Sequence, residues 1–276
     1  MNNLKGHLVL IGVAALGVAL ILVAILLPPG EIEVPEDPNQ SQQQTEQQGE
    51  SRALPTGGTG SDAERRTIEP TDDPAHVRLM RAASAGDTRT IAGLVGMGVA
   101  VDTTASDEDA RTVLMPPLEI GMTALMLAAR DSDQATVTAL LEAGADPNAI
   151  SQSGSTPLMF AAQRGQTDQV VALLGAGADP TRSDAEGRTA LMLAARSGAH
   201  EAASLLIEAG ADADATDRDG ATALMHAAGG QHMEAVLVLL GGGADPLAVD
   251  SRGRGALDRA GESGPVAEIL REAAGG

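Results

Sequence analysis

The chain has 276 residues, a formal net charge of −20, no cysteine and a single aromatic residue, Phe160. Without cysteine there is no disulfide, thiolate metal site or cysteine nucleophile, and the acidic balance opposes general binding to nucleic-acid phosphates. Hydrophobic residues make up 43% of the chain and are mostly Ala, Leu and Val. These suit thin, repeated helical layers better than one centre built on aromatic bulk. Lys5 is the sole lysine, the other cations being arginine; with the abundance of Ala and Gly this reads as GC-rich bacterial coding.

Residues 1–7 form a short polar start. From Leu8 to Leu27 there follow twenty residues without a charge or strongly polar side chain. A helix of that length spans roughly 30 Å, the hydrocarbon thickness of a bilayer. The run exits through Leu26-Leu27-Pro28-Pro29 and offers no small-x-small cleavage site. An uncleaved signal anchor is therefore expected at 8–27, with cleavage and secretion as the alternative. Lys5 precedes the span, and Glu31, Glu33, Glu36 and Asp37 follow it. This polarity puts the N-terminus inside and the remainder on the exported side of an inner, cytoplasmic membrane, in the periplasm or extracellular space.

Residues 28–73 carry six prolines, the run Gln42-Gln43-Gln44, the stretch Gly57-Gly58-Thr59-Gly60 and few large apolar residues. Such a composition cannot offset the entropy of ordering, so a disordered acidic linker is expected.

Beyond it the chain repeats. Gly121, Gly154, Gly187, Gly220 and Gly253 are 33 residues apart, as are Leu125, Leu158, Leu191, Leu224 and Leu257. Four stretches read Gly-x-Thr-Ala/Pro-Leu-Met-x-Ala-Ala, and each is followed by Leu-Leu, a spacer and Gly-Ala-Asp. The first glycine permits a tight turn, and Thr123, Thr156, Thr189 and Thr222 can cap a helix. The Ala-Ala pairs allow close helix approach. Gly144, Gly177, Gly210 and Gly243 end a second helix in a left-handed conformation. Asp73-Pro74 reads as a helix start with Asp as the cap. Each unit is turn, helix, turn, helix and loop, and it buries its apolar faces only when stacked.

These motifs resemble the ankyrin repeat, with Met126, Met159, Met192 and Met225 in place of the usual His. The resemblance implies an all-α solenoid of about six stacked helix-turn-helix units over 74–276, preceded by the transmembrane helix and the linker. The units fall at about 74–104, 118–150, 151–183, 184–216, 217–249 and 250–276, with the two ends as caps. Thirteen extra residues are placed at 105–117 because Leu79 and Leu125 are 46 apart.

By resemblance, the binding surface comprises the loop tips and the exposed face of each first helix. It includes Met122, Arg130, Asp131, Gln152, Ser153, Ser155, Gln163, Arg164, Glu186, Arg188, Arg196, Ser197, Arg218, Asp219, Arg252 and Arg254. From residue 118 onward ten arginines face 22 acids, yet most of those arginines fall on this surface. It is therefore expected to hold another protein through an acidic segment, as a non-catalytic module. The alternative for the arginines is internal pairing with neighbouring acids.

No small-molecule substrate or cofactor is evident. His7, His76, His200, His226 and His232 form no pattern with a nucleophile or paired carboxylates, so catalysis and a metal site are not expected. An exported inhibitor or immunity-type factor for an enzyme is the alternative role. A metal- or oxidant-responsive protein is the weaker one, since the recurrent Met reads as core.

Overall fold

The computed structural model describes residues 73–106 and 119–275. The expected anchor at 8–27, the linker apart from Asp73, and residues 107–118 lie outside it. Twelve helices and no strands occur among the described residues, and none of these helices is long and apolar enough to cross a membrane.

The helices come in pairs. They are α1 (Ala75–Ala85) and α2 (Thr88–Gly96), α3 (Ala124–Asp131) and α4 (Gln134–Glu142), and α5 (Pro157–Arg164) and α6 (Thr167–Gly175). Then follow α7 (Ala190–Ser197) and α8 (His200–Glu208), α9 (Ala223–Gly229) and α10 (Met233–Gly241), and α11 (Ala256–Ala260) and α12 (Pro265–Gly275). Odd-numbered helices pack on one another in series as an inner layer, even-numbered ones as an outer layer, and the two layers meet within each pair.

Sequence dictates this arrangement at each step. The side chains of Thr123, Thr156, Thr189 and Thr222 accept hydrogen bonds from Met126, Met159, Met192 and Met225 N–H at 3.3–3.4 Å. Each such cap is worth about 1 kcal/mol. Asp87 and Asp133 cap α2 and α4 in the same way, accepting from Thr90 and Thr136 N–H. The expected cap at Asp73 is not formed. Helix α1 begins after Pro74 without a side-chain cap, and the Asp73 carboxylate instead pairs with Arg81 at 2.6 Å.

Inner helices are short and almost wholly interior: α3 buries six of its eight residues, whereas α4 buries three of nine. The Ala-Ala pairs of α3, α5, α7 and α9 are all fully buried, as are the four repeated Met side chains beside them. In the outer layer Leu140, Leu173, Leu206 and Leu239 lie at 0% exposure, one per unit at 33-residue spacing. The residue after each, Leu141, Leu174, Ile207 or Leu240, is half-buried against them. Repetition of this contact produces a continuous core no single unit contains.

Outer helices end as expected. Gly144, Gly177, Gly210 and Gly243 take φ of 89–95°, just past α4, α6, α8 and α10. The last unit is reduced: Gly255 stands where the others have a capping Thr, and the Asp258 carboxylate accepts its N–H at 2.7 Å.

The position of the insertion differs from expectation by one residue. In the regular units the N–H of Ser151, Asp184, Asp217 and Asp250 donates to the carbonyl four residues on, and the turn glycine donates back. Ala105 makes both bonds with Met122 and Gly121, at 3.0 and 3.1 Å. It thus takes the place that the 33-residue phase gives Leu118. The additional residues enter after Ala105, inside the turn of the second unit, and not at 105–117. The buried Ala105 methyl, 2% exposed, holds that register.

Candidate functional site

The turns before α3, α5, α7, α9 and α11 form a row of fingers joined backbone to backbone. The N–H groups of Gln152, Ala185, Arg218 and Ser251 donate to the carbonyls of Ile120, Ser153, Glu186 and Asp219 in the preceding finger, at 2.6–2.9 Å. Two requirements fix glycine here. Gly187 has φ of +79°, and a Cβ built on it would lie 3.1 Å from Arg218 N. Gly121, Gly154 and Gly220 stand in the same relation to the next finger.

A polar side chain ties the base of each finger after the first, where Ala105 stands. Asp184 accepts from the N–H groups of Glu186 and Arg188 at 3.0 and 2.8 Å. Asp217 does so for Asp219 and Ala221, and Asp250 for Arg252 and Arg254. Ser151 fills the same place in its finger. Its hydroxyl accepts from Ser155 N–H and donates to Glu119 at 2.6 Å. A carboxylate buried in this way calls for a cation or a further hydrogen-bonding side chain. Arg188 serves Asp184 at 2.7 Å, His226 serves Asp217 at 2.9 Å, and Arg254 and Arg259 both serve Asp250. Hydrogen bonding from the Arg254 N–H, with help from Arg259, holds the Asp250 carboxyl far below the ordinary carboxylate range, although burial opposes this. The hydrogen bond to Asp184 likewise raises Arg188. These base residues were not singled out from sequence. Asp-x-x-Gly recurs at 184, 217 and 250 in register with the glycines, and that signal would have found them.

The arginines of the expected surface divide into two groups. Arg130 pairs with Asp131 at 2.6 Å, and Arg188 and Arg254 are held at their finger bases. Arg164 is 56% exposed and reaches no closer than 4.0 Å to Asp131. The guanidinium groups of Arg196, Arg218 and Arg252 are exposed and meet no acceptor among the described residues. Arg164 and Arg196 stand at the C-terminal ends of α5 and α7; Arg218 and Arg252 stand on the last two fingers.

The remaining surface residues are placed less uniformly. Gln152, Gln163, Glu186, Ser197 and Asp219 are exposed, while Ser153 and Ser155 are half-buried and hydrogen-bonded to each other. Asp131 accepts from Ser84 as well as Arg130. Burial raises its carboxyl, and these partners more than reverse this, leaving it lowered. Met122 does not belong to the surface. It is 1% exposed, and Arg130 folds over its sulfur at 3.9 Å. An apolar side chain at a finger's edge turns inward, where it displaces water.

The histidines are occupied separately. His226 Nε2 contacts Asp217, while His232 Nε2 contacts the Arg196 carbonyl at 3.1 Å. Among the described residues, no group of three or more His, Cys, Asp or Glu could hold a metal.

Models of three consecutive ankyrin repeats match residues 79–184, 125–217, 158–250 and 192–274. The chain belongs to the ankyrin-repeat family. No match was found among curated proteins. Ankyrin repeats generally mediate protein–protein interaction and are typically non-catalytic.

Proposed function

We propose that this chain is a membrane-tethered, non-catalytic docking module that holds an acidic segment of another protein across its fingers and inner helices. The observation carrying this reading is the set of four exposed arginines, Arg164, Arg196, Arg218 and Arg252. They stand out on a chain of net charge −20 whose other finger arginines are neutralised internally. A planar guanidinium left without a carboxylate is suited to bidentate pairing with one from a partner.

The tether rests on the uncharged run Leu8–Leu27 and the following linker composition. At about 5–6 Å × √n, a flexible linker of that length has a typical reach of roughly 35–40 Å, so the module searches a shell beside the membrane on its exported side. An enzyme reporter fused after Gly276 tests this: activity confined to the cytoplasm overturns the exported orientation.

For the docking role, a photoreactive residue placed at the exposed Gln163 or Asp219, beside these arginines, should crosslink in cells to one dominant protein bearing an acidic stretch. The same residue at the exposed outer-helix position of Leu237 should not. Crosslinking from 237 and not from 163 or 219 would overturn the assigned face.

A further inference from the structure

The exposed guanidinium groups without a short ion pair, Arg164 being held only by a long 4.0 Å pair with Asp131, are not scattered over the face. Arg164 and Arg196 lie at the far ends of inner helices in adjacent units, and Arg218 and Arg252 lie on the fingers of the next two units. Between the pairs, each arginine is spoken for, Arg188 by Asp184 and Glu186 and Arg254 by Asp250, and the His226 ring contacts Asp217. The face thus carries two exposed cationic pairs, one at each end of a diagonal, separated by a middle whose arginines are held by short ion pairs.

Distances along this diagonal follow from the fold. Neighbouring packed helices are about 8–10 Å apart, which sets the separation within each pair. An extended chain covers about 10 Å in three residues. An eight-residue helix is about 12 Å long, and the step to the next unit and out along its finger brings the gap between pairs to roughly 20 Å. That is about six residues of extended chain.

We propose that the partner segment is extended and bipartite: two acid-x-x-acid pairs separated by about six uncharged residues, lying diagonally from the ends of α5 and α7 to the last two fingers. This deepens the acidic-partner reading and rests on it. A helical acidic segment would bring carboxylates three or four residues apart to within about 5–6 Å, too close to meet one arginine on each of two units. Exposed single pairs contribute little by themselves, so recognition comes from satisfying all four at once.

Fluorescence anisotropy of the full-length chain in low salt tests the proposal with three labelled peptides of equal length. One carries Glu-x-x-Glu, a six-residue Ser/Thr/Gly spacer and Glu-x-x-Glu. The second carries the four Glu contiguously, and the third carries Gln in place of Glu. The bipartite peptide should bind at least tenfold more tightly than the contiguous one. Either double variant, R164Q/R196Q or R218Q/R252Q, should remove that advantage while melting like the parent chain. If contiguous and bipartite peptides bind equally well, and both better than the Gln peptide, the bipartite geometry is overturned and the acidic-partner reading stands. If the Gln peptide binds as well as the Glu peptides, that reading itself fails.

Discussion

The backbone N–H of Arg218 donates to the carbonyl of Glu186 at 2.9 Å, joining two fingers 32 residues apart. Equivalent bonds join the fingers on either side, so the finger row is held at its backbone, leaving side chains free to differ from unit to unit. The cost of ordering the fingers is met in the fold before binding, which favours affinity.

That arrangement separates two kinds of glycine. Gly187→Ala forces a left-handed alanine, and its methyl meets the backbone of Asp217 and Arg218 at 3.1–3.3 Å. We expect a loss of about 2–3 kcal/mol in urea unfolding. Gly177→Ala has similar φ but nothing within 4 Å, and should lose about 1–2 kcal/mol. Equal losses would show that the close approach of the next finger is immaterial.

Asp250→Asn removes the partner of Arg254 and Arg259 and leaves Arg259, 21% exposed, without its carboxylate. The melting temperature should fall, and amide exchange in α11 and α12 should quicken more than in α1. Acid sensitivity should change as well. The folded-state value of Asp250 is lowered from 3.8, so its stabilisation is fully present above about pH 4 and is lost as pH falls below that value. Asp87, Asp133 and Asp179 are lowered too, chiefly by hydrogen bonds from Thr90, Thr136 and Thr181. Stability should therefore decline on acidification, and the decline should be shallower in Asp250→Asn.

Gln169 is 2% exposed where the next two units carry Ala202 and Ala235. Its Nε2 donates to the Ser132 carbonyl of the preceding unit at 2.7 Å and to Gln166 Oε1, while its own Oε1 meets no donor. Gln169→Ala loses two hydrogen bonds, about 0.5–1.5 kcal/mol each, and one unsatisfied acceptor that costs about 1–3 kcal/mol, effects of opposite sign that largely cancel. The expected change in urea unfolding is below about 1 kcal/mol in either direction. A loss above about 2 kcal/mol would make this bond a principal tie between units.

Which of these features the sequence displayed depends on whether the responsible physics is local. The capping of Met126, Met159, Met192 and Met225 N–H by threonine depends on a spacing of three and on repetition, and both are written in the chain. So is the left-handed φ of Gly144 and its counterparts. Met122 was misplaced because its repeat position has no fixed environment. Arg188 and Arg254 occupy it facing outward to a finger-base aspartate, whereas Met122 and Ala221, both 1% exposed, fold inward. Asp73 was misread as a cap because its pairing with Arg81 lies eight residues away on the first helix. The phase of the insertion required the Ala105–Met122 bond, which joins residues on either side of it. The split between paired and unpaired arginines needed the fold, since it depends on which carboxylates the fingers bring within reach.

The central claim is that exposed arginines on the finger and inner-helix face, and not total charge, hold the partner. The most direct measurement is quantitative recovery of the crosslinked partner from cells for two double variants with the same net charge, R196E/R218E and R182E/R271E. Arg182 pairs weakly with Asp179 at 3.9 Å in an outer loop, and Arg271 lies on α12; neither belongs to the face. Recovery should fall at least tenfold for R196E/R218E and remain near the parent level for R182E/R271E. Equal recovery from both variants would contradict the claim.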